Sequence, residues 1–366
     1  MTIIIEIGKF ILNIIYFFIK MFPTKRKIAF ISRQSNNTSY DFYQIMSNID
    51  NVEKVVITKK LEKNISSFIL NCFLLIKQMY HIATSKIVVI DGYCIPISIL
   101  KHKKQLIVIQ LWHAEVVLKK IGLQTTKNKK NFMSKLAKHM NMHKNYTYVI
   151  ASSKEASKVY QEAFNIKEEN VLIFGTPTLD YLYNKEYLNK KEDIIKKYSL
   201  NNKKKNILYA PTYRKNENID ISELIDNFDF QKYNLLIKMH PVNMQDVKDK
   251  RVISIKKYTC EELLSVADYV ISDYSNVAFE AMYVDIPTYL YVYDIDAYIK
   301  KQGLNINPLK KFEEISSKDI KVILKNIKDN KYNYKEVKKN INKYIYDFEG
   351  KSVENISKFI SEKLDQ

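Results

Sequence analysis

The sequence predicts an α/β fold of two doubly wound, Rossmann-like domains facing each other across a cleft. Three observations carry that expectation. Short apolar runs rich in Ile and Val recur with helical stretches between them, and strands without internal polar alternation suit parallel sheets covered on both faces. The pattern restarts after Lys185, which gives two βα series in succession. A length of 366 residues corresponds to about two domains at roughly 150 residues each.

Residues 1–22, MTIIIEIGKFILNIIYFFIKMF, are expected to form an apolar N-terminal helix. They are long enough to span a bilayer, but Glu6, Lys9, Asn13 and Lys20 interrupt them, too many for a transmembrane segment. A secretory signal is not expected, because no basic region opens the chain and no small-residue cleavage site precedes Pro23 and Lys25-Arg26-Lys27. Two readings remain: a helix lying in the headgroup region of a membrane, favoured by its basic flank, or one docked on the protein itself.

The first domain is expected over 23–185. Its strands are Lys27–Ser32, Lys54–Thr58, Lys86–Asp91, Gln105–Trp112, Tyr146–Ala151 and Val171–Phe174. Helices are read at Ser39–Ile49, Leu61–Tyr80 and Ser153–Phe164. In Lys127–Lys144, Phe132, Leu136 and Met140 recur at helical spacing among Lys and His. That stretch is either a second membrane-facing helix or a solvated basic helix with one face on the core. The boundary falls in the charged stretch Tyr183–Lys197. The second domain, 186–366, carries strands Asn206–Pro211, Tyr233–Met239, Val252–Ile255, Tyr269–Asp273 and Pro287–Tyr293, with helices Glu261–Val266 and Val277–Tyr283.

Composition bounds the function. A hydrophobic fraction of 46% excludes a disordered or fibrous chain. Lys plus Arg is 59 against 40 for Asp plus Glu, a formal charge of +19. The abundance of Lys, Asn, Ile and Tyr with only six Gly fits AT-rich codons, so part of that charge is Lys on solvated surface. The remainder favours anionic partners: nucleic acid, acidic lipid or phosphorylated substrates. Cys72, Cys94 and Cys260 are far apart with no CxxC, which excludes a zinc ribbon and a disulfide framework and fits a reducing compartment. No His or carboxylate cluster has metal-ligand spacing, so no structural metal is expected.

In doubly wound folds ligands sit beyond the carboxyl ends of the strands, and residues just after a strand are the candidates. The strongest stretch runs from Val270 to Glu280, VISDYSNVAFE. There an apolar strand passes through a hydroxyl-rich turn into a helix. Backbone N–H groups, the positive helix end and the Ser275 hydroxyl would face a phosphate; the plainer alternative is that Asp273 and Ser275 only cap the helix. Arg214 follows the strand in Leu208–Arg214 and offers a planar fork for phosphate, unless it is a plain surface residue. His113, in LWHAE, and His240, in IKMHP, follow strands in corresponding places of the two halves. An imidazole there can take a proton from an attacking hydroxyl. His81, His102, His139 and His143 lie in helical or basic surroundings and read as structural. Ser32–Asn36 and Gly175-Thr176-Pro177 are polar turns that either line the cleft or are turns alone.

Six segments, in order from Lys27 to about Asn305, resemble the CDP-glycerol glycerophosphotransferase family of teichoic-acid primases and polymerases. They are ISRQSN (Ile31–Asn36), QLWHAEVVLKKIG (Gln110–Gly122), GTPTLDYL (Gly175–Leu182), YAPTYR (Tyr209–Arg214), KMHP (Lys238–Pro241) and ISDYSNVAFEAMYVDIPTYLYVYD (Ile271–Asp294). The resemblance implies a GT-B-like fold, the CDP donor mainly on the C-terminal half, the acceptor on the N-terminal half, and a smaller primase-type member. By position, His113 matches the histidine preferred as general base, and His240 a second essential histidine that contacts phosphate. Arg214, Asp273, Ser275 and Asn276 match donor-phosphate positions, and Glu280 the acid of the last motif. This chain departs from the pattern at Ala114, at Glu115–Lys119, at Thr178 and at Glu280, which stands where the family has Asp, and the first two departures sit where an acceptor would approach.

The expected reaction moves an alditol phosphate from CDP-glycerol, CDP-ribitol or another CDP-alditol to a hydroxyl of a polyprenyl-diphosphate-linked or similar acceptor, releasing CMP. No tightly bound cofactor and no nucleic-acid partner are expected. The implied location is peripheral, on the cytoplasmic face of the bacterial cell membrane. The alternative is a GT-B glycosyltransferase using a nucleotide-sugar for an envelope polysaccharide. A basic nucleic-acid-binding protein is a third reading, but the aromatic residues fall inside strands and helices instead of interleaving with Lys and Arg on an exposed strip.

Overall fold

A strand covered on both faces carries an apolar run without alternation, and Lys25–Ser32 does so with Ile28–Ile31 inside six consecutive buried residues from Lys27 onward. It is β1 of a computed structural model that describes residues 2–60, 65–126, 132–214, 218–240 and 247–366, apart from the side chains of Thr2 and 65–69. The further strands are β2 (Glu53–Thr58), β3 (Ser85–Ile90), β4 (Ile107–Gln110), β5 (Tyr148–Ala151), β6 (Val171–Ile173), β7 (Lys205–Ala210), β8 (Tyr233–Ile237), β9 (Val252–Ser254), β10 (Tyr269–Ser272), β11 (Thr288–Tyr291) and β12 (Ser316–Ser317). The main helices are α1 (Thr2–Ile19), α2 (Tyr40–Ser47), α3 (Ile65–Thr84), α4 (Phe132–His139), α5 (Lys154–Phe164), α6 (Pro177–Tyr183), α7 (Lys191–Tyr198), α8 (Asn276–Tyr283), α9 (Ile320–Lys328), α10 (Tyr334–Ile341) and α11 (Ser352–Asp365).

The strands form two sheets, β2-β1-β3-β4-β5-β6 and β12-β11-β10-β7-β8-β9, and the pairs within each are parallel. Each is doubly wound. In the first, the chain steps from β1 outward to β2 and then back to β3 on the other side. In the second it runs through β7, β8 and β9 before returning to β10 beside β7. Ligands in such sheets bind where the direction of winding reverses, beyond the strand ends. Those points lie between β1 and β3 and between β7 and β10.

The chain divides into two compact units: Met1–Ala114, Lys120–Asp180 and Phe348–Gln366 in the first, Glu115–Lys119 and Tyr181–Asp347 in the second. Within the first unit, side chains alternate across the sheet. Ala29, Ile31, Val88 and Ile90 pack with Tyr16, Met79 and Ile82 on one face, while Ile28, Phe30, Ile87 and Val89 pack with Phe42 and Ile45 on the other. In the second unit Leu208, Ala210, Leu236 and Val270 pack against Ile194, Val277 and Ala281.

Three expectations are corrected. Residues 1–22 are not a separate element: the helix is Thr2–Ile19, and it packs on α3 and α4 within the first unit. Among the described residues no helix is long and apolar enough to cross a membrane. The second unit does not run contiguously to the C-terminus, because Ile356, Ile360 and Leu364 of α11 complete the core beside β1 and β3. The strand expected over Gln105–Trp112 covers only Ile107–Gln110, because Trp112 takes φ 59°, outside the extended region. The amphipathic helices α9 and α10 and the short β12 were not anticipated. Residues 61–64 of the expected helix Leu61–Tyr80, and 127–131 of the basic stretch, lie outside the described residues, as does Pro241.

The returning helix is held at both ends. The buried carboxylate of Asp180 accepts from the N–H groups of Ser352 and Val353 at 2.9 and 2.8 Å, capping first-turn donors that helices otherwise leave unsatisfied. At the far end the Leu364 carbonyl accepts from Arg26 and Lys86 at 3.2 and 2.7 Å. Replacing Asp180→Ala leaves one buried and one half-buried donor unmet. It is expected to lower unfolding free energy in urea by about 2 kcal/mol and to speed amide exchange across 352–364.

Candidate functional site

In the first unit, the loops after β1, β3 and β4 carry the chemistry. Gln110, the last residue of β4, is completely buried. Its side chain donates to the Gly92 carbonyl at 3.0 Å and accepts from the Trp112 N–H at 2.8 Å. That clamp supports the left-handed backbone at Trp112 (φ 59°), and the turn brings His113 out to an exposed position. Trp112 stacks on the imidazole at 4.7 Å and backs onto Phe164. His113 Nδ1 lies 2.9 Å from the Asp91 carbonyl. A carbonyl only accepts, so Nδ1 carries the proton and Nε2 keeps its lone pair. The Asp91 side chain is buried beneath, with Oδ1 unpartnered. Burial raises its pKa, opposed by a Ser32 hydrogen bond and by His113. This loop turns a solvent-facing histidine into a group of defined tautomer.

In the second unit, the loops after β7, β10 and β11 meet around Arg214. Its Nε donates to Asp294 Oδ2 at 2.8 Å. One terminal nitrogen reaches Asp273 at 2.8 Å and Asp294 Oδ1 at 3.2 Å, and the other reaches the Thr212 carbonyl at 2.8 Å. The guanidinium also lies over Tyr274 and Tyr298, whose rings stack at 3.9 Å. Asp273 is as fully engaged: its Oδ1 accepts from the Thr212 and Tyr274 N–H groups. Beside this cluster Ser275 stands at the N-cap of α8 in extended conformation, and its hydroxyl makes no capping bond. Asn276 accepts from the Val116 N–H at 3.0 Å and donates to Glu280 at 2.9 Å. It thereby fastens Glu115–Lys119 to the second unit, helped by Asn305, whose amide donates to the carbonyls of Val117 and Lys119.

The expected site residues all fall in loops that follow strands or in the helix that opens after β10, and several of their side chains are engaged by protein groups. Arg214 and Asp273 are buried, and Arg214 pairs with both Asp273 and Asp294, which ties three strand ends together. Asn276 is occupied by protein groups. Glu280 is interior. Of the donor-side set, Ser275 keeps an uncommitted hydroxyl, and His240 is exposed after β8 with its ring 5.6 Å from that of Tyr213. His102 and His143 are structural, the first hydrogen-bonded to Tyr16 and the second to Tyr146. Burial pulls both pKa values down to about 4. The sequence reading assigned no role to Asp91, Gln110 or Asp294, although each ends or closely follows a strand. It likewise passed over Lys119, half-buried near Asp273.

Two doubly wound, all-parallel sheets whose polar loops gather beyond the strand ends are a GT-B-type α/β fold. The chain belongs to the family described as CDP-Glycerol:Poly(glycerophosphate) glycerophosphotransferase, whose model matches residues 14–362, and it is a transferase of that class. The teichoic acid ribitol-phosphate primase of Bacillus spizizenii is 27% identical over 359 residues, covering 92% of this chain and 91% of that one. The teichoic acid glycerol-phosphate primase of Bacillus subtilis (strain 168) is 30% identical over 310 residues, covering 81% and 80%. A histidine variant of the wall teichoic acid polymerase TagF soaked with CDPG has the same fold, with a TM-score of 0.72 at 20% identity over 93% of this chain and 90% of that one.

Glu280 has a measurable signature. Burial first, then the charges of Glu261 and Glu115, hold its carboxyl well above the ordinary carboxylate range. The folded state therefore keeps a proton that the unfolded chain releases above about 4.5. Stability is full below that value and declines as pH rises toward the folded pKa. Glu280→Gln keeps the oxygen that Asn276 bonds and removes the titration. Urea unfolding from about pH 5 to 8 is expected to show a shallower decline for the variant than for the wild type.

Proposed function

We propose that the protein transfers glycerol phosphate, ribitol phosphate or another alditol phosphate from its CDP derivative to a hydroxyl of a membrane-linked acceptor, in teichoic-acid or teichoic-like capsule synthesis. The observation that carries this reading is His113, exposed at a strand end with Nδ1 fixed on the Asp91 carbonyl, which makes Nε2 the basic nitrogen of the ring. The first unit takes the acceptor and the second the donor. The acceptor oxygen attacks the phosphorus that bears the alditol while its proton passes to His113 Nε2. A new P–O bond forms, the pyrophosphate P–O bond breaks, and CMP leaves with the electron pair.

On the donor side, the N–H groups of the first turn of α8 and the Ser275 hydroxyl face the pyrophosphate, with His240 as a further contact. Arg214 acts through position: locked between Asp273 and Asp294, it keeps the loop that carries Ser275 from shifting as charge grows on CMP. The family and the two primases support the donor class, and the TagF variant soaked with CDPG supports its nucleotide.

The acceptor's lipid implies a membrane, and α1 supports a peripheral place on the cytoplasmic face. Three of the four residues that interrupt its apolar run are tied to the body of the first unit. Glu6 and Lys9 meet His139 (2.9 Å to its Nδ1, 2.6 Å to its carbonyl), Asn13 bonds the backbone of Ile99 and Lys101, and buried Tyr16 bonds His102. Outward stand Ile3, Ile4, Ile7, Phe10, Phe17 and Phe18, more than half exposed, beside Phe73 of α3 at 72%. An apolar face of that extent, with Lys20, Lys25 and Arg26 at its end, suits the headgroup boundary of an anionic bilayer.

Two experiments test the reading. CMP release from CDP-glycerol and CDP-ribitol should depend on a lipid-linked acceptor and fall by about 10²–10⁴-fold in His113→Ala with folding intact. Wild-type turnover in that variant would remove His113 from the base role, and release from a nucleotide-sugar alone would move the chemistry to glycosyl transfer. Sedimentation with phosphatidylglycerol vesicles should capture the wild type and weaken at least about tenfold in a Phe10→Glu, Phe18→Glu double variant. Equal binding by both would overturn the docking face.

A further inference from the structure

The polar stripe that seats α1 also lines a hollow of about 360 Å³. Its walls come from three stretches of the first unit: α1, the turn 98–102 and the loop 141–145. That volume falls among small-molecule pockets, which span roughly 300–1,000 Å³. Three lysines line it, Lys9, Lys101 and Lys144, against one acid, Glu6. Glu6 is already matched, 3.2 Å from Lys9 and 2.9 Å from His139. Lys101 and Lys144 are exposed, and among the described residues no second acid lines the hollow to meet them.

Both unmatched lysines are carried on a fixed frame. The Lys101 N–H donates to Asn13 Oδ1 at 2.9 Å, and the Asn13 amide donates to the Ile99 carbonyl at 3.1 Å. Asn145, next to Lys144, donates to the carbonyls of Ile97 and Leu100 at 2.8 and 3.1 Å. The two amides thus pin the lysine-bearing backbones to each other and to α1. The loop that holds Lys144 is left-handed at Asn141, His143 and Asn145 (φ 46°, 63° and 72°), strain that persists only where the surroundings enforce it. Phe10 belongs to two surfaces: it lines this hollow and is 67% exposed among the outward apolar residues of α1. A ligand held by the lysines therefore lies at the edge of the apolar face. None of the lining residues comes from the turn that carries His113 or from Asp91 beneath it.

We propose that this hollow binds the phosphate headgroup of an anionic glycerophospholipid between Lys101 and Lys144, with the acyl chains running out past Phe10 to join the face of α1. Charge selects the headgroup, since two ammonium groups remain without a counter-ion and each is a compact donor to phosphate oxygen. The apolar rim selects a lipid over a free anion. Membrane binding then depends on headgroup as well as on buried apolar area. The inference rests on α1 facing a membrane. Inorganic phosphate and the diphosphate end of a polyprenyl lipid offer related chemistry, and the test separates them.

Three full-length proteins are titrated with dihexanoyl phosphatidylglycerol below its critical micelle concentration: wild type, Lys101→Gln/Lys144→Gln, and Lys335→Gln/Lys358→Gln. The last loses the same charge at exposed positions elsewhere. No bilayer is present, so the apolar face of α1 is not under test. Wild type and the distant variant are expected to bind saturably, at least about tenfold more tightly than they bind dihexanoyl phosphatidylcholine. Affinity is expected to fall about 10- to 100-fold in Lys101→Gln/Lys144→Gln. Absence of saturable binding, equal affinity for the two lipids, or equal affinity in the two variants overturns the proposal. Inorganic phosphate that binds as tightly as phosphatidylglycerol would make this a free-anion site. Farnesyl diphosphate that binds more tightly and displaces the lipid would assign it to the acceptor. Either result overturns the lipid assignment. In sedimentation, Lys101→Gln/Lys144→Gln should lose the preference for phosphatidylglycerol over phosphatidylcholine vesicles that wild type shows. Wild type that ignores vesicles altogether would sink the docking face of α1, while the short-chain titration would still decide the hollow.

Discussion

Because the strands of both sheets run parallel, every loop that follows a strand emerges on the same edge of its sheet, and every return must cross a face. That constraint organises the molecule. The returns supply the helices that cover both faces, so the strands are apolar through their middles and most polar chemistry lies at their ends and in the loops. The reversal of winding between β1 and β3, and again between β7 and β10, parts the covering helices and leaves neighbouring loops room to hold a ligand. His113, Arg33, Arg214 and Ser275 all belong to loops at or beside these two places.

The two loop clusters use charge in contrasting ways. In the second unit a cation, two carboxylates and two stacked tyrosines form a closed set. Breaking such a set strands a buried charge, so its value lies in fixing geometry more than in net stability. Nearby, Glu280 solves the same problem by keeping its proton. The first unit leaves its polar atoms open: Asp91 Oδ1 and Arg33 Nε are buried without partners. A site that completes itself can be rigid without ligand, whereas one left incomplete gains most when the ligand arrives.

Sequence alone located the strands and the loops that follow them, and read the surroundings of their polar side chains unevenly. Eleven strands were legible because unbroken Ile/Val runs have few other uses, and the strand ends then pointed to His113, His240, Arg214 and Ser275. The role of each was less legible, because local spacing does not say whether a polar side chain meets a ligand or the protein. Arg214 meets Asp273 and Asp294 at separations of 59 and 80 residues, and Glu280 meets Glu115 from an earlier crossing of the chain. The C-terminal return was hidden for a similar reason. The helix α11 was not anticipated, and its apolar face, Ile356, Ile360 and Leu364, packs beside β1 and β3, strands more than 250 residues away in the chain.

The inward polar stripe on α1 has a consequence for how this segment can vary. Each residue turns a helix by roughly 100°, so Glu6, Lys9, Asn13 and Tyr16 reach their partners only in one rotational phase. Exchanging one outward apolar residue for another leaves that phase alone. Inserting or deleting a single residue between Lys9 and Tyr16 would not, since it would swing part of the polar stripe toward the outside and drive phenylalanines against His102 and the Ile99 carbonyl. The segment is thus constrained in length and angle, and comparatively free in which greasy side chains it displays.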